Sequence, residues 1–132
     1  MYPKFRKGKL KQVYYNGKVY TNTGGNPAQA FIVENGKFMA VGTDEEMVSL
    51  AIGPAMALFD LRGEFVCPSF RVAKGASLTF SSDAEFDENI RGRIARGEKA
   101  DFAVLSKSPF EVPDSEIKKI KIISVYKGGK EQ

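Results

Sequence analysis

At 132 residues the chain has the length of one domain, enough to bury a core without disulfides or a structural metal. Its apolar fraction of 42% and charged fraction of 27% are those of a soluble globular protein, and no apolar run approaches the ~18 residues a membrane helix needs. One cysteine excludes an internal disulfide and a cysteine-based zinc site, and the lack of histidine excludes a Ser-His or Cys-His catalytic pair.

The net charge of +4 is local. Lys4, Arg6, Lys7, Lys9 and Lys11 share an opening stretch with no acid, whereas the rest of the chain is close to neutral. Residues 1–11 therefore read as a basic arm. A protein built around nucleic acid usually carries its charge on a folded face, so no nucleic-acid partner is expected. The arm has no apolar segment of the secretory kind, and a single free thiol suits a reducing compartment; the expected location is cytoplasmic.

Short strands and turns dominate the first half. Gln12 to Tyr15 and Lys18 to Thr21 flank Asn16-Gly17, a strong hairpin signal, and Thr23 to Pro27 is a loop. Ala30 to Glu34 and Lys37 to Val41 flank a second Asn-Gly pair, Asn35-Gly36, so a β meander is expected. Thr43-Asp44-Glu45-Glu46 fits a capping box, with Met47, Leu50 and Ala51 as the apolar stripe of a helix that Gly53-Pro54 stops. The acids Asp44 to Glu46 are thus a helix start rather than a metal site.

Ala57 to Leu61 and Glu64 to Cys67 are expected to pair around Arg62-Gly63, with Pro68 closing the second strand. Ser77 to Phe80 reads as a strand, and Asp83 to Glu88 as an acidic polar patch. Arg91 to Ala95 and Asp101 to Leu105 flank a turn at Arg96-Gly97. Asp114 to Lys119 is a short helical turn, and Lys121 to Tyr126 a closing strand rich in β-branched residues. So many short strands point to a sandwich or small barrel. Cys67, within Phe65-Val66-Cys67, reads as a small buried hydrophobe.

Several of these segments resemble the amidohydrolase superfamily, in particular its amidohydrolase-3 group. Asn16 to Thr21 and Ala30 to Gly42 look like that group's first two hairpins, and Thr43 to Ala51 like the helix that follows. Asp60 to Phe70, DLRGEFVCPSF, resembles the family's D-L-x-G-x-x-V-x-P-G-F entry to its catalytic barrel, with Ser69 in the place of a glycine. Ile90 to Leu105 resembles its closing G-x-I-x-x-G-x-x-A-D-x-x-V-L. Ser108 to Pro113 and Val125 to Lys130 complete a likeness over roughly three quarters of the chain.

The resemblance implies a fold class: mainly β, the composite β-sandwich domain of metallo-dependent hydrolases (urease alpha-like), with one short helix and no TIM barrel. It implies one domain over 12–130, built from 12–70 and 84–130 and joined by a barrel remnant at 71–83. A TIM barrel needs about 200 residues, whereas 19 lie between Phe70 and Ile90.

In the family the barrel holds one or two divalent metals, usually zinc, through an H-x-H, further histidines and an aspartate. Here Arg71-Val72-Ala73-Lys74-Gly75 follows Phe70, so those histidines have no counterpart. Gly75 to Phe86 looks like the last barrel strand, which makes Asp83 the one remnant candidate for a metal ligand, with Glu85, Asp87 and Glu88 close in sequence. One carboxylate cannot hold a catalytic zinc, which takes about three protein ligands. No catalytic or cofactor-binding residue and no cofactor are therefore assigned.

The expected role is a non-catalytic composite domain, structural or self-associating. Loss of the barrel should expose apolar surface, which a homodimer would cover. One alternative is a subunit of a split C–N hydrolase whose barrel is a separate chain. Another is a small-ligand or nucleic-acid binding module using the arm with Tyr2, Phe5, Tyr14 and Tyr15.

Overall fold

The computed structural model describes residues 11–25, 27–51, 56–68 and 74–132. The basic arm up to Leu10, the helix stop at Gly53-Pro54 and the join at Phe70 lie outside them. Nine strands and three helices occur among the described residues: β1 (Lys11–Tyr15), β2 (Lys18–Val19), β3 (Ala30–Glu34), β4 (Lys37–Gly42), α1 (Asp44–Leu50), β5 (Met56–Asp60), β6 (Phe65–Pro68), α2 (Asp83–Asn89), β7 (Phe102–Leu105), α3 (Asp114–Ile117), β8 (Ile122–Lys127) and β9 (Lys130–Glu131).

The strands make two sheets, ordered β4-β3-β1-β5 and β2-β6-β7-β8-β9, neither closed into a barrel. The mainly β sandwich is as expected; α1 is the one short helix expected, α3 falls on the expected helical turn, and α2 is additional. Strands β2 and β6 precede the join and β7, β8 and β9 follow it, so one sheet draws on both sides of the sequence. Its β6 to β9 run antiparallel in chain order, which puts the meander in this sheet.

Asn35-Gly36 turns the β3–β4 hairpin, with Glu34 opposite Lys37. Asn16-Gly17 does not make a hairpin. Val13 and Tyr14 are both buried, so β1 is an interior strand with neighbours on either side, antiparallel β3 and parallel β5. The chain then crosses to the other sheet as β2, which runs parallel to β6.

Two neighbouring segments, 11–19 and 56–66, thus pass from one sheet to the other side by side. They bend at adjacent corners, where Asn16 and Arg62 take φ of 59° and 55°. The corners are bonded together: Leu61 N–H donates to the Tyr15 carbonyl at 2.8 Å and Gly63 N–H to that of Asn16 at 2.7 Å. Arg62-Gly63 is therefore a corner as well, and β5 and β6 belong to different sheets. Local turn chemistry supplied the bend in both cases; the burial of the flanking strands chose a sheet switch over a hairpin.

Three apolar layers result. Between the sheets lie Tyr14, Phe31, Phe38, Val66, Phe102 and Val104. Phe102 sits at the centre of an aromatic group, 4.4 Å from Tyr126, 5.0 Å from Phe31 and 5.3 Å from Tyr14 between ring centres. Outside the first sheet, α1 packs Met47 and Ala51 on Val13, Ala30 and Ile32. Outside the second, Phe65, Cys67, Ala103 and Leu105 meet Phe86 of α2 and Ile117 of α3. Strand β7 is covered on both faces, hence its unbroken Phe-Ala-Val-Leu run.

Helix α1 has its complete capping box: Thr43 Oγ1 accepts from Glu46 N–H at 3.1 Å, and Glu46 Oε1 accepts from Thr43 N–H at 2.9 Å. Helix α2 replaces the expected acidic patch. Ser82 Oγ caps it by accepting from Glu85 N–H at 3.1 Å, and Phe86 anchors it in the core. Ser77 to Phe80 is not a strand: Ser77 makes an isolated bridge with Lys121, and Leu78 packs into the layer outside the second sheet. Residues 91–95 are likewise irregular.

Candidate functional site

Asp83 opens α2 and is exposed. Its neighbours in sequence do not converge with it. Glu85 Oε2 accepts from the Ser81 hydroxyl at 2.6 Å and from Ser81 N–H at 3.2 Å, and these bonds hold its carboxyl below the usual glutamate range. Asp87 accepts a short hydrogen bond from the Tyr20 hydroxyl. Among the described residues no three acid, histidine or cysteine side chains are grouped so as to hold a metal ion. The residues present do not fit the family's catalytic zinc: the one aligned carboxylate is a solvated helix start whose nearest acids bond elsewhere.

Cys67 on β6 is fully buried in the layer that α2 and α3 cover, and burial pushes its thiol up, away from the thiolate form a nucleophile needs. Tyr14 is equally unavailable for stacking on a ligand, being packed among Phe31, Phe59, Phe102 and Tyr126. Tyr15 is half-buried against the outer layer of the first sheet. Tyr2 and Phe5 lie outside the described residues.

Among the described residues, a cleft of about 340 Å³ lies between the loop after β2 and the turn before α3. Phe65 and Val19 are among its lining residues, and the Tyr20 and Phe110 rings stand 5.1 Å apart. At its rim Lys18 Nζ and Glu111 Oε2 pair at 2.7 Å, both side chains more than half exposed. Burial, then the bond to Asp87, pushes the Tyr20 hydroxyl up to about 12, so near neutral pH it is a donor and not a base. The cleft offers a ring surface and a charged rim. Nothing local in the sequence marks it, because Tyr20 and Phe110 come from opposite sides of the join.

Where the closing pattern G-x-x-A-D falls, the geometry is architectural. Gly97 N–H donates to the Phe38 carbonyl and Phe38 N–H to that of Glu98, at 2.8 and 2.9 Å. Ala100 N–H donates to the Gly36 carbonyl at 2.8 Å, and the Ala100 carbonyl accepts from Gly129 at 2.9 Å. Asp101 Oδ1 accepts from Gly128 N–H at 2.8 Å. Residues 97–101 therefore bond the β3–β4 turn of one sheet to the β8–β9 turn of the other.

Comparison with known proteins places this segment. Curated proteins give no match. A solved, uncharacterised metal-dependent hydrolase from Pyrococcus furiosus is 21% identical with a TM-score of 0.43, over 52% of this chain and 14% of its own. One from Pyrococcus horikoshii OT3 is 25% identical with a TM-score of 0.38, over 52% and 14%. Enamidase, a member of the amidohydrolase superfamily, is 23% identical with a TM-score of 0.37, over 52% and 20%. The chain thus spans at most a fifth of the length of these proteins. Residues 78–131, which include the 97–101 stitch, match the model of the amidohydrolase family.

Proposed function

We propose that this chain is a non-catalytic composite domain of the amidohydrolase type, with a structural role exercised as a homodimer. The observation that carries the reading is the work done by residues 97–101, which lie within the segment that matches the family. Their main-chain groups bond one sheet to the other, and the Asp101 carboxylate ties the segment to the β8–β9 turn. The chain's lack of histidine agrees with this, since the resembled enzymes depend on an H-x-H. On this reading residues 12–130 fold as one domain, with 71–83 as the bridge left in place of a barrel.

Self-association is supported by large apolar side chains turned to solvent on α1 and β5: Val48, Leu50, Met56 and Leu58, from 36% to 57% exposed. The test supplies purified chain with zinc, then measures bound metal per chain and turnover of amide and ester substrates. Trace metal without turnover is expected. One tightly held zinc per chain with hydrolysis overturns the non-catalytic reading. A chain that scatters light as a monomer at all concentrations overturns the homodimer.

A further inference from the structure

Three of the four sheet edges are blunted against strand addition. Strand β4 carries a register shift that leaves Met39 unpaired, and its outer edge is bonded to residues 97–99. Strands β2 and β9 are two residues long, and β2 is further closed by a bridge from Val19 to Ala28. The fourth edge, β5, is different. It is five residues long, Met-Ala-Leu-Phe-Asp, and among the described residues it is paired in unbroken register with β1 alone. It has none of the usual protections: no lysine, no proline and no bulge among the described residues.

Its main-chain direction can be read from the corner. Leu61 N–H donates inward to Tyr15, and main-chain groups alternate sides along a strand. Ala57 and Phe59 therefore bond toward β1, while Met56, Leu58 and Asp60 point their N–H and C=O groups outward.

We propose that β5 is the homodimer interface, pairing antiparallel with β5 of a second copy about a two-fold axis through Leu58. This rests on the self-association proposed above and specifies its geometry. The pairing sets Leu58 opposite Leu58 and Met56 opposite Asp60, pairs that each exchange two main-chain hydrogen bonds. It sets small Ala57 opposite large Phe59 on the inner face. Charge agrees as well. Lys11 lies beside Met56 in register, so the partner's Asp60 carboxylate falls on the same face one strand beyond, about 10 Å from the Lys11 backbone and within reach of its side chain. Asn16 Nδ2 and Arg62 N–H both use the Oδ1 of Asp60. The result is one eight-stranded sheet, with the exposed Met56 and Leu58 of both copies brought side by side.

The test uses the full chain and two substitutions of Leu58, which is 57% exposed and so tolerates a change without loss of the fold. Leu58→Lys places two ammonium groups face to face and should raise the dimer dissociation constant about tenfold or more in analytical ultracentrifugation. Leu58→Cys should give a covalent dimer with a short bifunctional thiol reagent, whereas Glu88→Cys, on the far layer, should not. A wild-type dimer that survives Leu58→Lys and gives no Leu58→Cys cross-link overturns this geometry and leaves the self-association reading standing. A wild-type monomer, bare or carrying another protein's strand on β5, overturns both.

Discussion

The Asp101 carboxylate accepts the backbone N–H of Gly128 at 2.8 Å, tying the start of β7 to the turn after β8. Beside it, Ala100 bonds to Gly36 in the other sheet and to Gly129 in the same turn. Asp101→Ala leaves a partly buried N–H without its charged acceptor and should cost about 1–2 kcal/mol in urea unfolding. Asp101→Asn keeps an acceptor and should cost less than half as much. Equal losses would show that the charge, and not the hydrogen bond, matters there.

The two turns meet so closely that glycine is required. At Gly129, with φ of 77°, an added methyl group would lie 2.8 Å from Val33 Cγ1. At Gly97, with φ of 87°, it would meet nothing within 4 Å. Gly97→Ala should therefore show only backbone strain, about 1–2 kcal/mol. Gly129→Ala should lose about 1–3 kcal/mol more, because the sheets must separate locally. Thermal unfolding of the two variants under one condition checks the order.

Features set by local chemistry were legible in the sequence, and those set by partner choice were not. Asn35-Gly36 and Thr43 to Glu46 specify a hairpin and a capped helix from within a few residues, and both occur. Asn16-Gly17 carries the same turn signal, but burial on both faces of β1 makes its chain switch sheets. Helix α2 was hidden because Phe86 is its one large apolar residue, too few for a periodic stripe. Ser82 with Glu85 three residues on was a usable start signal, half realised since Glu85 turns to Ser81 instead. The Tyr20–Phe110 cleft needs two residues about 90 apart in sequence and has no local signature.

Acid should weaken the fold through its exposed carboxylates. The Thr43 backbone N–H, then the Thr43 hydroxyl, holds Glu46 below the ordinary glutamate value. Asp60 is lowered by Arg62 N–H and then by Asn16. A depressed folded-state pKa gives stability that is complete above the unfolded value and lost as pH falls through the folded one. Stability should thus decline from about pH 5 downward. Glu64, raised by burial, opposes the trend. Glu46→Gln should flatten the decline in a pH series of urea midpoints; an unchanged slope would contradict the capping box.

The central aromatic group should dominate the energetics. Phe102 is fully buried, whereas Phe110 at the cleft is 40% exposed. Phe102→Ala should cost about 3–5 kcal/mol, and Phe110→Ala about 1 kcal/mol or less, with any ligand affinity of the cleft lost in the second case only.

The claim that segments from both sides of the join make one self-sufficient fold is tested most directly by native-state hydrogen exchange. Val13 and Val33 report on the first sheet, and Val66 and Val104 on the second. If residues 97–101 bind the sheets into one unit, the slowest amides of both sheets should open with the same free energy, equal to that of global unfolding. Two separated plateaus, one for each sheet, would contradict it.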